Sequence, residues 1–222
     1  MRKNKWDSYF LSHYKPLSGE WSDRDVEKYK RWYFSWLDFI EKRCAILQKK
    51  AHIFEIGSAV GAVASLLRDR GHDVIGSDIS DFMVRQASRL CKPIPFIHCD
   101  IQKGIPIRKK FDVIMGFEVI EHIADLSKAL KNINQSLNGR GYFIGTSPYP
   151  YGKNYLDKTH VNVKYPHEWK QLFLDNGFSR VQLLPMSFLP FAWRLSKYCN
   201  PVIPCHISWP FFVSTVLIVA KR

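Results

Sequence analysis

The chain has 222 residues and is 46% hydrophobic, so it is long enough for one α/β domain with a sizeable core. Lysine and arginine outnumber aspartate and glutamate by 33 to 20, and the resulting charge of +13 is spread along the chain. Because there is no long basic run and no RNA-binding signature, a nucleic-acid partner is possible but not favoured.

The cysteines and the apolar runs indicate in which cellular compartment the protein is expected. Five cysteines without paired spacing indicate reduced thiols. The N-terminus has basic residues but lacks the apolar core of a signal peptide. The most apolar run, residues 211–220, is shorter than the roughly 20 residues that a membrane-spanning helix needs. We therefore expect a cytoplasmic protein.

The predicted elements begin with a helical segment at residues 24–50, which we assign to an N-terminal helical cap (1–50) over a single domain (51–222). Strands and helices then alternate. The predicted strands are 51–56, 73–78, 94–99, 111–117, 142–146, 178–184 and 211–220, and the predicted helices are 59–70, 81–91, 124–137 and 166–176. This alternation favours right-handed crossovers and a mostly parallel sheet with helices on both faces. The last two strands lack a helix between them, so one of them is expected to be antiparallel.

The stretch "FEIGSAVGAVASLL" joins the first predicted strand to the first helix of the alternating region. Glycines at such a turn allow a ligand to approach the backbone, and the helix N-terminus offers free N–H groups, which indicates a nucleotide-type pocket. A P-loop is excluded because no GK[ST] follows. A dinucleotide fingerprint would need glycines where Ala59 and Ala62 stand. Glu55 would also repel a diphosphate, so it favours a ligand with a cationic group.

Three further motifs follow in order. "GSDIS" ends the second strand and "HCDI" ends the third, while "FDVIMGFEVIEHIAD" carries the fourth strand into the next turn. "LNGRGYFIGTSP" then contains the fifth strand. With these motifs and "EIGSAVG", the chain resembles class I S-adenosylmethionine (SAM)-dependent methyltransferases, and in particular small-molecule O-methyltransferases, over roughly residues 50–184 and again at the last strand.

The resemblance implies SAM as the cofactor and a Rossmann-like seven-stranded sheet of order 3-2-1-4-5-7-6. It also implies a set of contacts to SAM. Asp78 would accept from both ribose hydroxyls, Asp100 would meet the adenine amino group, and the methionine end would lie near Phe117 and Glu118. The full set of implied cofactor contacts is Glu55, Gly57, Ser58, Gly61, Asp78, Ile79, Asp100, Ile101, Phe117 and Glu118.

The catalytic candidates are histidines near the carboxyl ends of strands. Methyl transfer from a sulfonium is a direct displacement, in which positioning supplies much of the acceleration and a hydroxyl acceptor benefits from a base. His160, in "DKTHVNVKYPHEW", is the candidate base or substrate contact, with bracing of its loop as the alternative. His122 is the second candidate, with a structural role in the first turn of a helix as the alternative. We expect transfer to a small or medium acceptor, with oxygen as the favoured atom.

A metal site is the alternative for the same region. Glu118, Glu121 and His122 share one face if the segment is helical, and with His160 they could hold a divalent ion. Terminal 2′-O-methyltransferases for RNA and some quinone-type O-methyltransferases use a similar set. Since the "EVIEH" sequence is also widespread in members without metal, we expect no metal requirement.

Rival functions from another class are an NAD-dependent oxidoreductase and a non-catalytic SAM-binding module. The missing glycines and Glu55 argue against NAD. Only a turnover assay separates an enzyme from a silent SAM-binding protein.

The proline-rich and aromatic segment 185–210 is unusual for a loop. It is either a packed subdomain or an apolar surface for peripheral membrane contact, which would suit a lipid-linked acceptor as well as a free small molecule or a saccharide. Two aromatic groups are candidates for the wall of an acceptor pocket, although the core is the preferred place for the tryptophans. They are Tyr149, Tyr151 and Tyr155, and Trp21, Trp32 and Trp36.

Overall fold

The structure is a computed structural model that describes residues 6–8, 20–151, 154, 156–189, 191, 194, 196, 200–209 and 211–222. Seven strands form one sheet of order β3-β2-β1-β4-β5-β7-β6, which confirms the predicted order. The strands are β1 (His52–Ile56), β2 (Asp73–Asp78), β3 (Phe96–His98), β4 (Phe111–Phe117), β5 (Leu137–Pro148), β6 (Arg180–Phe188) and β7 (Val213–Lys221).

From residue 20 onward, the described part of the chain places these α-helices around the sheet: α1 (Asp23–Glu41), α2 (Ala62–Asp69), α3 (Asp81–Leu90), α4 (Leu126–Ser136) and α5 (Pro166–Asp175). Ser80 caps α3 as the sequence predicts, because its side chain accepts from the backbone N–H of Met83 at 3.2 Å. Gly177 follows α5 with a φ of +91°, a conformation that ends helices.

Four predicted boundaries were wrong by three residues or more, and one of them is the end of β6, which lies at Phe188 instead of residue 184. The helix predicted over 24–50 ends at Glu41, and a 3-10 turn covers Ala45–Gln48. The helix predicted from residue 59 begins only at Ala62, because the preceding backbone is left-handed. Strand β5 begins five residues earlier than predicted, and its pairing with β4 shifts register between Phe111 and Val113.

The direction of the strands decides where a site can form. Strands β1 to β5 pair in parallel, whereas β7 is antiparallel to both β5 and β6. Therefore β6 runs in the same direction as β5, and the connection from β6 to β7 leaves the edge at which β1, β4 and β5 end. We call this edge the carboxyl edge.

Successive residues of the central strands point into two separate apolar clusters, one on each face of the sheet. Ile53 packs with α1 and α2 on one face, whereas Phe54 packs with α4 and α5 on the other. The residues of α1 at Trp36, Leu37 and Ile40 are buried in the first cluster. In the part of the chain that the structure describes, no helix is both long and apolar enough to cross a bilayer.

Candidate active site

The turn between β1 and α2 holds a run of left-handed residues. Gly57, Ala59 and Gly61 have φ values of 69°, 45° and 84°. A Cβ on Gly57 would overlap a methyl group of Val119, so this position needs glycine for space as well as for conformation. At Ala59 the chain carries a methyl group in a conformation that costs an L-residue roughly 1–2 kcal/mol. The turn thereby keeps its backbone close to the carboxyl ends of the strands.

Asp78, at the end of β2, ties this turn in place. Its Oδ2 accepts from the N–H of Ala59 at 3.0 Å, and its Oδ1 accepts from the N–H of Ser80 at 2.9 Å. Burial raises the pKa of Asp78 to about 6, against the lowering effect of these N–H donors. The carboxylate is therefore fixed in direction and remains ionised near neutral pH.

Glu55 lies under the same turn and is buried. Burial raises its pKa to about 8, opposed first by a hydrogen bond with Ser58 and then increased by the nearby charge of Asp78. Its Oε2 is buried without a hydrogen-bond partner, and Cys91 is a further titratable neighbour. A buried carboxylate of this kind is stabilised by a cationic group placed beside it.

A cavity of about 650 Å³ opens at this point of the carboxyl edge. Nine of the ten predicted cofactor contacts line it, together with His122. Gly61 does not line it, since it turns the chain into α2, and His160 lies behind His122. The nine are Glu55, Gly57, Ser58, Asp78, Ile79, Asp100, Ile101, Phe117 and Glu118.

Residues that the sequence analysis did not assign close the cavity from the N-terminal side. Tyr29 and Tyr33 project from one face of α1, and Trp6 covers the region near His122, at 5.7 Å between ring centroids. Asp7 anchors Trp6, because its carboxylate accepts from the hydroxyl of Ser80 at 2.5 Å. The spacing of Tyr29 and Tyr33, one turn apart, could have revealed the first pair, whereas the place of Trp6 depends on tertiary contacts.

The aromatic candidates divide between the cavity and the core. Trp21 lines the cavity, whereas Trp36 is buried and Trp32 packs against Phe188. Tyr149 and Tyr151 pack against His206 instead. Tyr155 lies outside the described residues.

The two candidate histidines face each other, with ring centroids 4.8 Å apart. The Nδ1 of His122 lies 3.0 Å from the carbonyl oxygen of Thr159, and the Nδ1 of His160 lies 3.0 Å from that of Asn154. Because a carbonyl oxygen only accepts, both Nδ1 atoms carry a proton and donate it. In a neutral ring of this tautomer the lone pair is on Nε2, the atom that could bind an ion, and the Nε2 of His160 lies 3.7 Å from the carboxylate of Asp157.

Glu121 completes a group of three ligands. Ligand atoms of Glu121, His122 and His160 all lie within 4.8 Å of one another. Two atoms bound to one ion at about 2.1 Å are at most about 4.2 Å apart, so this spacing is close to that of a metal site. Glu121 is fully buried, and neither of its carboxylate oxygens has a hydrogen-bond partner. Burial therefore raises its pKa well above the usual range.

Glu118 lies beside this group but is not one of its three ligands. The segment is not an α-helix, because Glu118 has a φ of 53° and only Ile120–His122 form a 3-10 turn. The condition under which Glu118, Glu121 and His122 would share one face, an α-helix over this segment, is therefore not met. The carboxylate of Glu118 accepts instead from the hydroxyl of Thr215 on β7 at 2.8 Å, and burial raises its pKa.

A comparison with known families decides what this arrangement belongs to. The sequence profile of a family described as "methyltransferase domain" matches residues 27–183. The chain belongs to the methyltransferase domain family. This methyltransferase therefore uses SAM, as the four motifs at the strand ends imply, and an NAD-dependent oxidoreductase is set aside.

Two curated relatives carry the name ubiquinone biosynthesis O-methyltransferase. The one from Paramagnetospirillum magneticum is 26% identical over 172 residues, which are 64% of this chain and 66% of the relative. The chain thus spans slightly less than two thirds of that relative's length. The one from Bartonella bacilliformis is 22% identical over 227 residues, covering 86% of this chain and 91% of the relative.

Among solved structures, the methyltransferase is similar to a SAM-dependent methyltransferase from Thermotoga maritima that is described as a possible histamine N-methyltransferase. The TM-score is 0.65 at 20% identity, and the similarity covers 90% of this chain and 98% of the other. Such a similarity shows a shared fold and leaves the acceptor open.

The cavity of this methyltransferase fits SAM in its chemistry. The unpaired oxygen of Glu55 suits a cationic amino-acid end, while the oriented carboxylate of Asp78 suits the two hydroxyls of a ribose. Ile79 and Ile101 offer apolar surfaces for the adenine ring, and Asp100 stands at the same end of the cavity. The residues that line this cavity thus match the chemical groups of SAM along its length.

Proposed function

We propose that the protein transfers the methyl group of SAM to a hydroxyl oxygen of a small-molecule acceptor, with the help of a divalent cation. The relatives that are named O-methyltransferases support oxygen as the acceptor atom. The observation that carries the proposal is the group of Glu121, His122 and His160 beside the cavity. This geometry favours the metal alternative over the expectation that no metal is required.

The chain's own residues bind and orient the reactants. When bound, SAM supplies a methyl group on a positively charged sulfur. Glu55 and Asp78 would hold its two polar ends, and the aromatic side chains of Tyr29, Tyr33 and Trp6 would exclude water from the cavity. An acceptor placed in line with the methyl group would gain much of its acceleration from this positioning.

Glu121, His122 and His160 would hold the cation, and a bound divalent ion lowers the pKa of a coordinated hydroxyl. The carbonyl oxygens of Thr159 and Asn154 accept the Nδ1 protons and so keep both Nε2 lone pairs directed away from the backbone. A neutral His160 acting as the base would need the same Nε2. The two roles exclude each other and can be separated by experiment.

The test combines metal removal with calorimetry. After dialysis against EDTA we expect transfer to be lost and to return with Mn²⁺, and we expect Mn²⁺ to bind directly to the wild type but not to Glu121→Gln. SAM titration of the same variant serves as the control, since its cofactor site is intact. Full activity in EDTA, with loss of activity in His160→Asn only, would contradict the metal and leave His160 as the base.

A terminal 2′-O-methyltransferase for RNA remains a second candidate, because the group of Glu121, His122 and His160 resembles the set of ligands in that class. The two candidates differ in the acceptor. Transfer of labelled methyl groups to the 3′ end of a short RNA, and not to a low-molecular-weight fraction of a cell extract, would favour the RNA function.

A further inference from the structure

The exposed apolar side chains are concentrated at the carboxyl edge. Seven of the eight large hydrophobic side chains that the described residues expose lie on the two connections that leave this edge, and the eighth, Leu174, lies on α5. Three are on the connection after β5, namely Leu156, Val161 and Tyr165. Four are on the connection between β6 and β7, namely Leu189, Phe191, Trp209 and Phe211. We call these seven side chains the apolar rim.

The connection between β6 and β7 is anchored to the sheet, although its tips are exposed. Ser187 and Ile203 exchange two backbone hydrogen bonds, at 2.8 and 2.9 Å. Phe188 is buried, whereas Phe191, Trp209 and Phe211 are 63%, 62% and 66% exposed. The segment is therefore neither fully packed nor a polar loop. Trp193 and Lys197, which belong to the same segment, lie outside the described residues.

The two connections form one surface. The ring of His206 stacks on Tyr149 with centroids 4.1 Å apart, which joins the connection between β6 and β7 to the end of β5. The backbone N–H of Asn162 donates to the carbonyl oxygen of Glu121 at 2.9 Å, which joins the other connection to the proposed metal ligand. The apolar rim is thus part of the edge that holds the active site.

Cations accompany the apolar rim. Lys158 and Arg194 are exposed on the two connections, and Lys164 is half-buried beside Tyr165. Asp157, the acid on the first connection, accepts two hydrogen bonds from Thr159 through Oδ1, and its Oδ2 lies 3.7 Å from the Nε2 of His160. Exposed aromatic side chains with neighbouring cations, on a chain of net charge +13, complement a surface that is apolar inside and anionic outside.

We propose that the apolar rim docks the protein on an anionic lipid bilayer, with the mouth of the active site facing the membrane. Trp209 and Phe211 enter the interface, and Lys158, Lys164 and Arg194 meet the headgroups. An acceptor with an apolar tail would then reach the cavity without crossing water. The docking itself needs only the surface, and it does not depend on the proposed acceptor or metal.

The test is co-sedimentation with vesicles of phosphatidylcholine alone and of phosphatidylcholine mixed with phosphatidylglycerol, without any acceptor. We expect binding to the mixed vesicles at low salt and weaker binding at high salt. The double variant Trp209→Ala/Phe211→Ala should bind at least tenfold less. Replacing Lys158 and Lys164 by Gln should weaken binding roughly fivefold for each charge removed. The matched control is Leu174→Ala, which removes an exposed apolar side chain away from the apolar rim and should bind as the wild type does.

SAM titration and thermal melting show that each variant is folded, so a failure of docking is distinguishable from a failure of the active site. Absence of binding to the mixed vesicles, or equal binding by the double variant and the wild type, would overturn the proposal. Concentration-dependent dimers that the double variant abolishes, without vesicle binding, would assign the apolar rim to self-association instead.

Discussion

Replacing Asp78 by Asn tests the proposed ribose contact with the smallest change of shape. The amide keeps the volume of the carboxylate, but it removes the charge and turns one acceptor oxygen into a donor. A hydrogen bond to a charged acceptor contributes about 1.5–3 kcal/mol. At about 1.4 kcal/mol for each factor of ten, the dissociation constant for SAM should rise about 10- to 150-fold.

The same substitution should lower stability, because both oxygens of Asp78 also accept from the chain. One of the N–H groups of Ala59 and Ser80 would lose its acceptor. An unpaired buried N–H costs about 1–3 kcal/mol, which for a domain of this size lowers Tm by about 2–12 °C. The reduced stability must therefore be measured separately from the reduced affinity.

Calorimetric titration with SAM, at a temperature well below the melting transition of the variant, is the assay. Asp73→Asn is the matched control, since Asp73 stands at the other end of β2, is exposed and pairs with Lys50 and His52. We expect this control to bind SAM like the wild type. If Asp78→Asn also binds SAM within twofold of the wild type, then Asp78 is not the ribose acid and the orientation of SAM in the cavity must be revised.

Three further predictions concern the same edge of the sheet. The pKa of Glu55 is raised in the folded state, so folding favours its protonated form, and the unfolding free energy should fall as the pH rises from about 4.5 to 8. In denaturant titrations, Glu55→Gln should flatten this dependence of the unfolding free energy on pH. An unchanged dependence in the variant would show that Glu55 does not cause it. Gly57→Ala should abolish SAM binding in calorimetry, because the added Cβ overlaps Val119 and a φ of 69° is unfavourable for alanine. If the variant binds SAM with the affinity of the wild type, glycine is not needed at this position. Ser80→Ala should lower the unfolding free energy by about 1 kcal/mol, because it removes the cap of α3. It should also remove the hydrogen bond between Ser80 and Asp7. A melting temperature equal to that of the wild type would contradict the capping role.

The sequence predicted the bounds of a strand well where a single local pattern sets them. The strands at 73–78 and 111–117 were predicted at their observed bounds, because each is a short apolar run between polar turns. The start of α2 was missed because left-handed residues such as Ala59 are not visible in a hydrophobic pattern. A contact from outside the turn, the hydrogen bond from Ala59 to Asp78, helps to hold this conformation.

Those residues of the candidate site that lie directly after the ends of strands were predictable from the sequence. Motifs placed Glu55, Asp78 and Asp100 around one cavity, since parallel strands end at a common edge. The wall formed by Trp6 could not be predicted, because it depends on the contact between Asp7 and Ser80, which are far apart in sequence. Which ring nitrogen of His122 and His160 carries the proton likewise depends on backbone carbonyl oxygens of a long loop.

The strand order has a consequence for synthesis of the chain. Strand β6 is one of the two edge strands of the sheet, and its one neighbour is β7, from which 24 residues separate it in sequence. While the ribosome is still translating the segment between them, β6 has no strand to join. A premature stop codon before residue 213 would therefore remove two strands from the sheet instead of one, and with β7 it would remove the hydroxyl of Thr215 that holds Glu118.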